Sequence, residues 1–168
     1  MNYNKKIKEA KIMARAFEIM NKQVFSVHWE DTVEDVVKIF KEHRISGLPV
    51  VDNENKVVGI VSDRDLLQYS QKLDFVPLID FSAWVSPYAS PLETDSYKRS
   101  SEAFLKTKVT DVMSEEVISA RENDSWHQAA NLMKESGINR IPVVDDEGKL
   151  KGIITRDDLL CYIAEKGE

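Results

Sequence analysis

Two four-residue elements carry the side chains most suited to chemistry, Ser62-Asp63-Arg64-Asp65 and Thr155-Arg156-Asp157-Asp158. Each sets a hydroxyl three positions ahead of a carboxylate, at the expected start of a helix. A carboxylate fixed there can accept hydrogen bonds from two neighbouring hydroxyls, and the free amides of a helix start attract anions. Arg64 and Arg156 inside the elements, with Arg44 and Arg140 in the loops upstream, offer cations for anionic groups. The same spacing satisfies a capping-box-like rule, in which the hydroxyl caps the helix and the acid returns to it. Both readings are open at this point, and plain surface charge is the alternative for each arginine.

No other constellation competes. His28, His43 and His127 lack metal-ligand spacing and are expected on the surface or in packing. No nucleophile arrangement occurs, so catalytic residues and a catalytic cofactor are expected to be absent. The single Cys161 has no second thiol to pair with and is expected as a buried helix residue. Asp145-Asp146-Glu147 lacks the alternating oxygens of a calcium loop and reads as a hydrated hairpin tip, which leaves no protein metal site. The net charge is −6, and residues 1–15 are basic, so the remainder is more acidic still. That balance excludes the cationic face a nucleic-acid binder needs. Neither a membrane span nor a secretory signal is expected, which points to a cytoplasmic protein.

The chain repeats. A shift of 93 residues places Met20–Leu67 on Met113–Leu160 without a gap, with identity at 18 of 48 positions. Pro49-Val50-Val51-Asp52 recurs as Pro142-Val143-Val144-Asp145, and Gly59-Ile60 as Gly152-Ile153. Each copy reads as β-α-β-β-α, an α+β pattern. A β-rich piece (Val24–Val27; Val117–Ala120) leads to a helix capped by Asp31-Thr32 or Asp124-Ser125. Val33, Val36, Val37 and Phe40, or Trp126, Ala129, Ala130 and Met133, form its apolar face, and it ends near Arg44 or Gly137. Two β-rich runs follow, joined by Asp52–Asn55 or Asp145–Gly148, then a final helix. A unit of about 50 residues buries too little surface alone, so the copies are expected to pack on each other with pseudo-two-fold symmetry. The expected boundaries are 1–15 for a basic helix, 16–67 and 110–166 for the repeats, and 68–109 for a connector.

The hairpin Pro-Val-Val-Asp, the following Gly-apolar-apolar-Ser/Thr-x-x-Asp-Leu, and the Val-Met or Ile-Met that precedes each copy together resemble the CBS domain. Two in tandem resemble a Bateman module, covering Phe17–Ile163 apart from the connector. The resemblance implies a regulatory pair, not an enzyme, that holds AMP, ADP, ATP or S-adenosylmethionine in clefts between the repeats, with magnesium arriving on the phosphates. It implies that Ser62 and Thr155 help hold phosphate or ribose, and that Asp65 and Asp158 accept from the ribose hydroxyls. Ile45, Ser46, Gly47 and Leu48, and Ile138, Asn139, Arg140 and Ile141, would wrap the adenine. Val24 and Val117 would add apolar cover, and Arg64, Arg156 and Arg140 cationic contacts. Both positions keep the whole element, the second closer to the family pattern. A homodimer of pairs is implied too. With no effector domain attached, the expected target is a separate protein; the rival reading is a scaffold with empty clefts.

The non-repeating connector contains Phe75, Phe81 and Trp84, which a solvated linker would not carry, and a helix is expected over Tyr97–Leu105. The leader from Lys5 to Met20 has apolar residues at helical spacing.

Overall fold

The computed structural model describes residues 14–72 and 95–166. In chain order the elements are α1 (Ala16–Ile19), β1 (Val27–His28), α2 (Val33–His43), β2 (Gly47–Val51), β3 (Val57–Ser62), α3 (Asp63–Lys72) and α4 (Asp95–Leu105). After a single 3-10 turn at Val109–Asp111 come β4 (Ala120–Arg121), α5 (Trp126–Ser136), β5 (Arg140–Val144), β6 (Leu150–Thr155) and α6 (Arg156–Lys166). The strands make two three-stranded sheets, ordered β1-β2-β3 and β4-β5-β6. β1 runs parallel to β2 with Val27 opposite Val50, and β4 runs parallel to β5 with Ala120 opposite Val143. β5 and β6 are antiparallel, with Ile141 opposite Ile154 and a bulge beyond Val143.

Local chemistry accounts for these elements. The Asp35 carboxylate accepts from the Thr32 amide at 2.9 Å and the Thr32 hydroxyl at 2.7 Å, which closes the start of α2. Those two bonds, the amide first, hold the Asp35 carboxyl below its ordinary value of 3.8. Ser125 and Gln128 do the same work at α5. α2 ends where Arg44 turns left-handed at φ 53°, and α5 where Gly137 does so at φ 65°. The hairpin turns use left-handed Asn55 and Gly148.

Two cores form, and they do not follow the sequence repeats. One compact unit contains residues 25–53 and 58–117, the other residues 14–24, 54–57 and 118–166. The first core gathers Val33, Val36 and Phe40 of α2, Leu48 and Val50 of β2, and Phe104 and Val109 from the far side of the connector. The second gathers Ala129 and Met133 of α5, Ile141 and Val143 of β5, and Ala16 from the leader.

Backbone bonds stitch each exchanged segment in place. In the first unit the Val33 amide donates to Thr107 O and the Val109 amide to Asp31 O, both at 2.9 Å, and Ile60 and Ser114 exchange amide–carbonyl bonds at 3.0 and 2.8 Å. In the second unit Trp126 donates to Ala14 O at 3.0 Å, Ala16 to Asp124 O at 2.8 Å, and Asn21 and Ile153 bond reciprocally at 2.9 and 3.0 Å. Each segment thus covers the outer edge of a hairpin, which an open sheet would leave unpaired. The glycine of the repeated Gly-Ile pair makes room for it. A Cβ at Gly59 would overlap the Met113 thioether, and one at Gly152 would overlap that of Met20.

Three expectations change. Cys161 is on α6 but exposed, because the apolar positions facing the core are its neighbours such as Leu159, 7% exposed. The helix expected over Tyr97–Leu105 is present but begins two residues earlier, at Asp95, and its Phe104 packs into the first core. Of the β-rich piece Val117–Ala120 only Ala120 joins the sheet, in a strand that runs Ala120–Arg121. Phe75, Phe81 and Trp84 lie outside the described residues, as does the leader before Ala14.

Candidate functional site

Each Ser/Thr-x-x-Asp element spans the junction from the last strand of a sheet into a helix, Ser62 ending β3 and Thr155 ending β6. The junction closes as a cap. The Asp158 Oδ2 accepts from the Thr155 amide at 2.7 Å and the Thr155 hydroxyl at 2.6 Å. The Asp65 Oδ2 accepts from the Ser62 amide at 2.8 Å and from the Ser62 hydroxyl. Capping and ligand binding are therefore not exclusive at these carboxylates. Two donors fill Oδ2 and fix the plane of the group, which leaves Oδ1, rather than the oxygen pair, to meet anything else.

The loops ahead of the Pro-bearing strands sit against these junctions. Ser46 O accepts from the Asp63 amide at 3.0 Å, and Asn139 O accepts from the Arg156 amide at 2.9 Å. Ile45 and Ile138 are half-buried at the margins of the cores, while Asn139 is exposed. Arg64 and Arg156 are exposed on the first turns of α3 and α6, and Arg140, half-buried, opens β5. Thus Ile45, Gly47, Ser62, Arg64 and Asp65 share one unit, and Ile138, Asn139, Arg140, Thr155, Arg156 and Asp158 the other.

Three features depart from the expected grouping. The side chains of Leu48 and Ile141 are 1% and 0% exposed in the two cores, so at these positions only the main chain is left for contacts. Val24, expected beside Ile45–Leu48, belongs to the unit of Thr155 and Asp158, and Val117 belongs to that of Ser62 and Asp65. The cause is the exchange of segments, which carries each pre-strand stretch to the other unit. Ser114, absent from the sequence reading, donates its hydroxyl to Asp65 Oδ1 at 3.2 Å. Its one sequence signal is its place directly after Met113, where Asn21 follows Met20 in the other copy.

The three histidines and the acidic hairpin tip make contacts within the fold. His28 bonds to Asn53 at 3.0 Å, His43 stacks on Phe25 with centroids 3.6 Å apart, and His127 packs on Trp126. At the hairpin tip the Asp145 Oδ1 accepts the Lys149 amide at 2.9 Å and the Glu147 amide at 3.0 Å. The Lys149 amide leads in holding the Asp145 carboxyl below its ordinary value. Among the described residues no three potential metal ligands cluster, and no helix is long and apolar enough to cross a membrane.

Two β-α-β-β-α copies, each with a capped acid at a strand-to-helix junction, define the class as a tandem pair of small α+β domains. Comparison with known proteins supplies the family. The family described as CBS domain matches residues 16–72 and 109–165, and the chain belongs to it. It is 35% identical over 147 residues to the uncharacterized protein MJ1426 of Methanocaldococcus jannaschii, covering 85% of this chain and 87% of that one. It is 31% identical over 160 residues to the inosine-5'-monophosphate dehydrogenase of the same organism, covering 95% of this chain but 26% of the enzyme. Among solved structures, CBSX2 of Arabidopsis thaliana in complex with AMP superimposes with a TM-score of 0.66 at 28% identity, covering 92% of this chain and 98% of that one.

Proposed function

We propose that the chain is a non-catalytic sensor that binds adenine nucleotides, AMP first among them, at the two Ser/Thr-x-x-Asp junctions and passes occupancy to a separate protein. The observation that carries this reading is the match, over 92% of this chain and 98% of the other, to a protein solved with AMP. The geometry is in keeping with it. A carboxylate locked by its own cap keeps one oxygen for a ribose hydroxyl, beside a helix start suited to phosphate and a loop whose main chain can meet an adenine edge. Arg64, Arg140 and Arg156 would contact the phosphates, with magnesium accompanying ADP or ATP. The protein acts inside the cell, as a homodimer of pairs. Binding favours one conformation over another, and the partner reads the difference.

Calorimetric titration with AMP, ADP, ATP and S-adenosylmethionine tests the proposal. Binding of AMP, weakened at least about tenfold in Asp158→Ala with the circular dichroism spectrum unchanged, supports it. S-adenosylmethionine as the tighter ligand would make the chain a sensor of that compound. Flat responses to all four compounds would leave a scaffold as the better description.

A further inference from the structure

The two junctions are alike in sequence but not in what their own protein does to them. At Asp65 the Oδ2 is taken by Ser62, and Ser114 donates to the Oδ1. Two residues earlier, the Asp63 carboxylate accepts from the Arg64 amide at 2.8 Å, so an acid covers the amide a phosphate would use. At Asp158 only the cap is made, and Oδ1 has no partner among the described residues.

The difference comes from two substitutions between the copies. Asn21 stands where the other copy has Ser114, and it turns back to accept the Gln23 amide at 2.9 Å rather than reaching Asp158. Arg156 stands where the other copy has Asp63, and among the described residues no side chain caps the amide of Asp157. Both main-chain frames are held alike, by the Ile60–Ser114 and Asn21–Ile153 bonds, so the inequality lies in the side chains.

We infer that the junctions are unequal binding positions: Asp158 presents an open acceptor and takes the nucleotide tightly, while Ser114 and Asp63 occupy the groups of the Asp65 junction and make it the weak position. The inference rests on the adenine-nucleotide reading and adds Ser114 and Asp63 as residues that set relative affinity. A ligand arriving at Asp65 must displace a hydroxyl from the carboxylate and meets an acid already bonded to the first-turn amide; at Asp158, among the described residues, no hydroxyl donates to Oδ1 and no carboxylate takes the corresponding amide, Asp157 standing instead where the first copy has Arg64. Graded occupancy follows, with the Asp65 position filling only at higher nucleotide concentration.

Calorimetry with AMP on the full chain decides the matter. The expected wild-type isotherm has one tight step, lost in Asp158→Ala (or Asp158→Asn if the alanine variant misfolds), and one weak step. Ser114→Ala tightens the weak step about fivefold and Ser114→Ala/Asp63→Ala about tenfold or more, whereas Ser114→Thr, which keeps the hydroxyl, leaves it weak. Two equal steps in the wild type, loss of the tight step in Asp65→Ala, or a weak step made weaker by Ser114→Ala would overturn the inference and leave nucleotide binding standing. Absence of binding in the wild type and in every variant would overturn both.

Discussion

At Gly152 an added Cβ would sit 2.6 Å from Met20 Cγ and 3.0 Å from its Cβ, so the whole methionine side chain must move, not only its tip. At Gly59 the nearest Met113 atoms beyond the sulfur are Cγ at 3.0 Å and Cε at 3.3 Å, the more yielding end of the side chain. Gly152→Ala is therefore expected to cost about 1–3 kcal/mol in urea unfolding, and Gly59→Ala measurably less. An equal cost would mean that the methionines are not the obstacle. The repeated Gly-Ile pairs were plain in the sequence, as were the repeated methionines. Their mutual contact was not, because Met113 lies 54 residues from Gly59 and Met20 lies 132 residues from Gly152 along the chain. Ser114 is the same case: a small polar residue in a list of such residues until the fold sets it 3.2 Å from Asp65.

The helices show how much an element owes to its ends. Thr32 and Asp35 close α2, and Thr32→Ala is expected to lower stability by about 1 kcal/mol by chemical denaturation. Since the folded Asp35 carboxyl lies below its ordinary 3.8, the stability it contributes is fully present above that value and is lost as pH falls through the folded pKa. The stability advantage of the wild type over Asp35→Asn should therefore be constant above that value and shrink as pH falls through the acid range; a difference that persists unchanged to the lowest pH would assign the effect to packing. At the other end, Arg44 holds φ 53° where α5 has Gly137. Arg44→Gly is expected to raise the thermal midpoint, a gain of roughly 0.5–1 kcal/mol, because the left-handed turn costs a side-chain-bearing residue more than glycine. Caps and stops were readable from sequence because they depend on neighbours within four residues.

For the molecule as a whole, the consequence of segment exchange is that neither repeat is a self-sufficient folding unit. Ala16, 0% exposed, and Met20 complete the second core, and Asn21 covers the edge of β6. Deleting residues 1–24 is expected to destabilise the unit containing α5 and α6 by roughly 3 kcal/mol or more, on the apolar surface uncovered. Hydrogen exchange should show the amides of β6 losing protection while those of β1 keep theirs. Equal loss in both units, or none, would contradict the separate cores.

What the sequence determined by itself was the duplication, the β-α-β-β-α order, the caps, the turns and the acids at the two strand-to-helix junctions. All are patterns of period, spacing or neighbouring residue type, which local physics converts directly into structure. The tertiary structure alone decided which stretch completes which core, that Leu48 and Ile141 turn inward, that Cys161 stays outside, and that Ser114 reaches one junction acid while Asn21 leaves the other free. Those outcomes depend on edges and cavities that exist only once distant segments have met, and a linear pattern has no means of recording which of two similar edges a segment will cover.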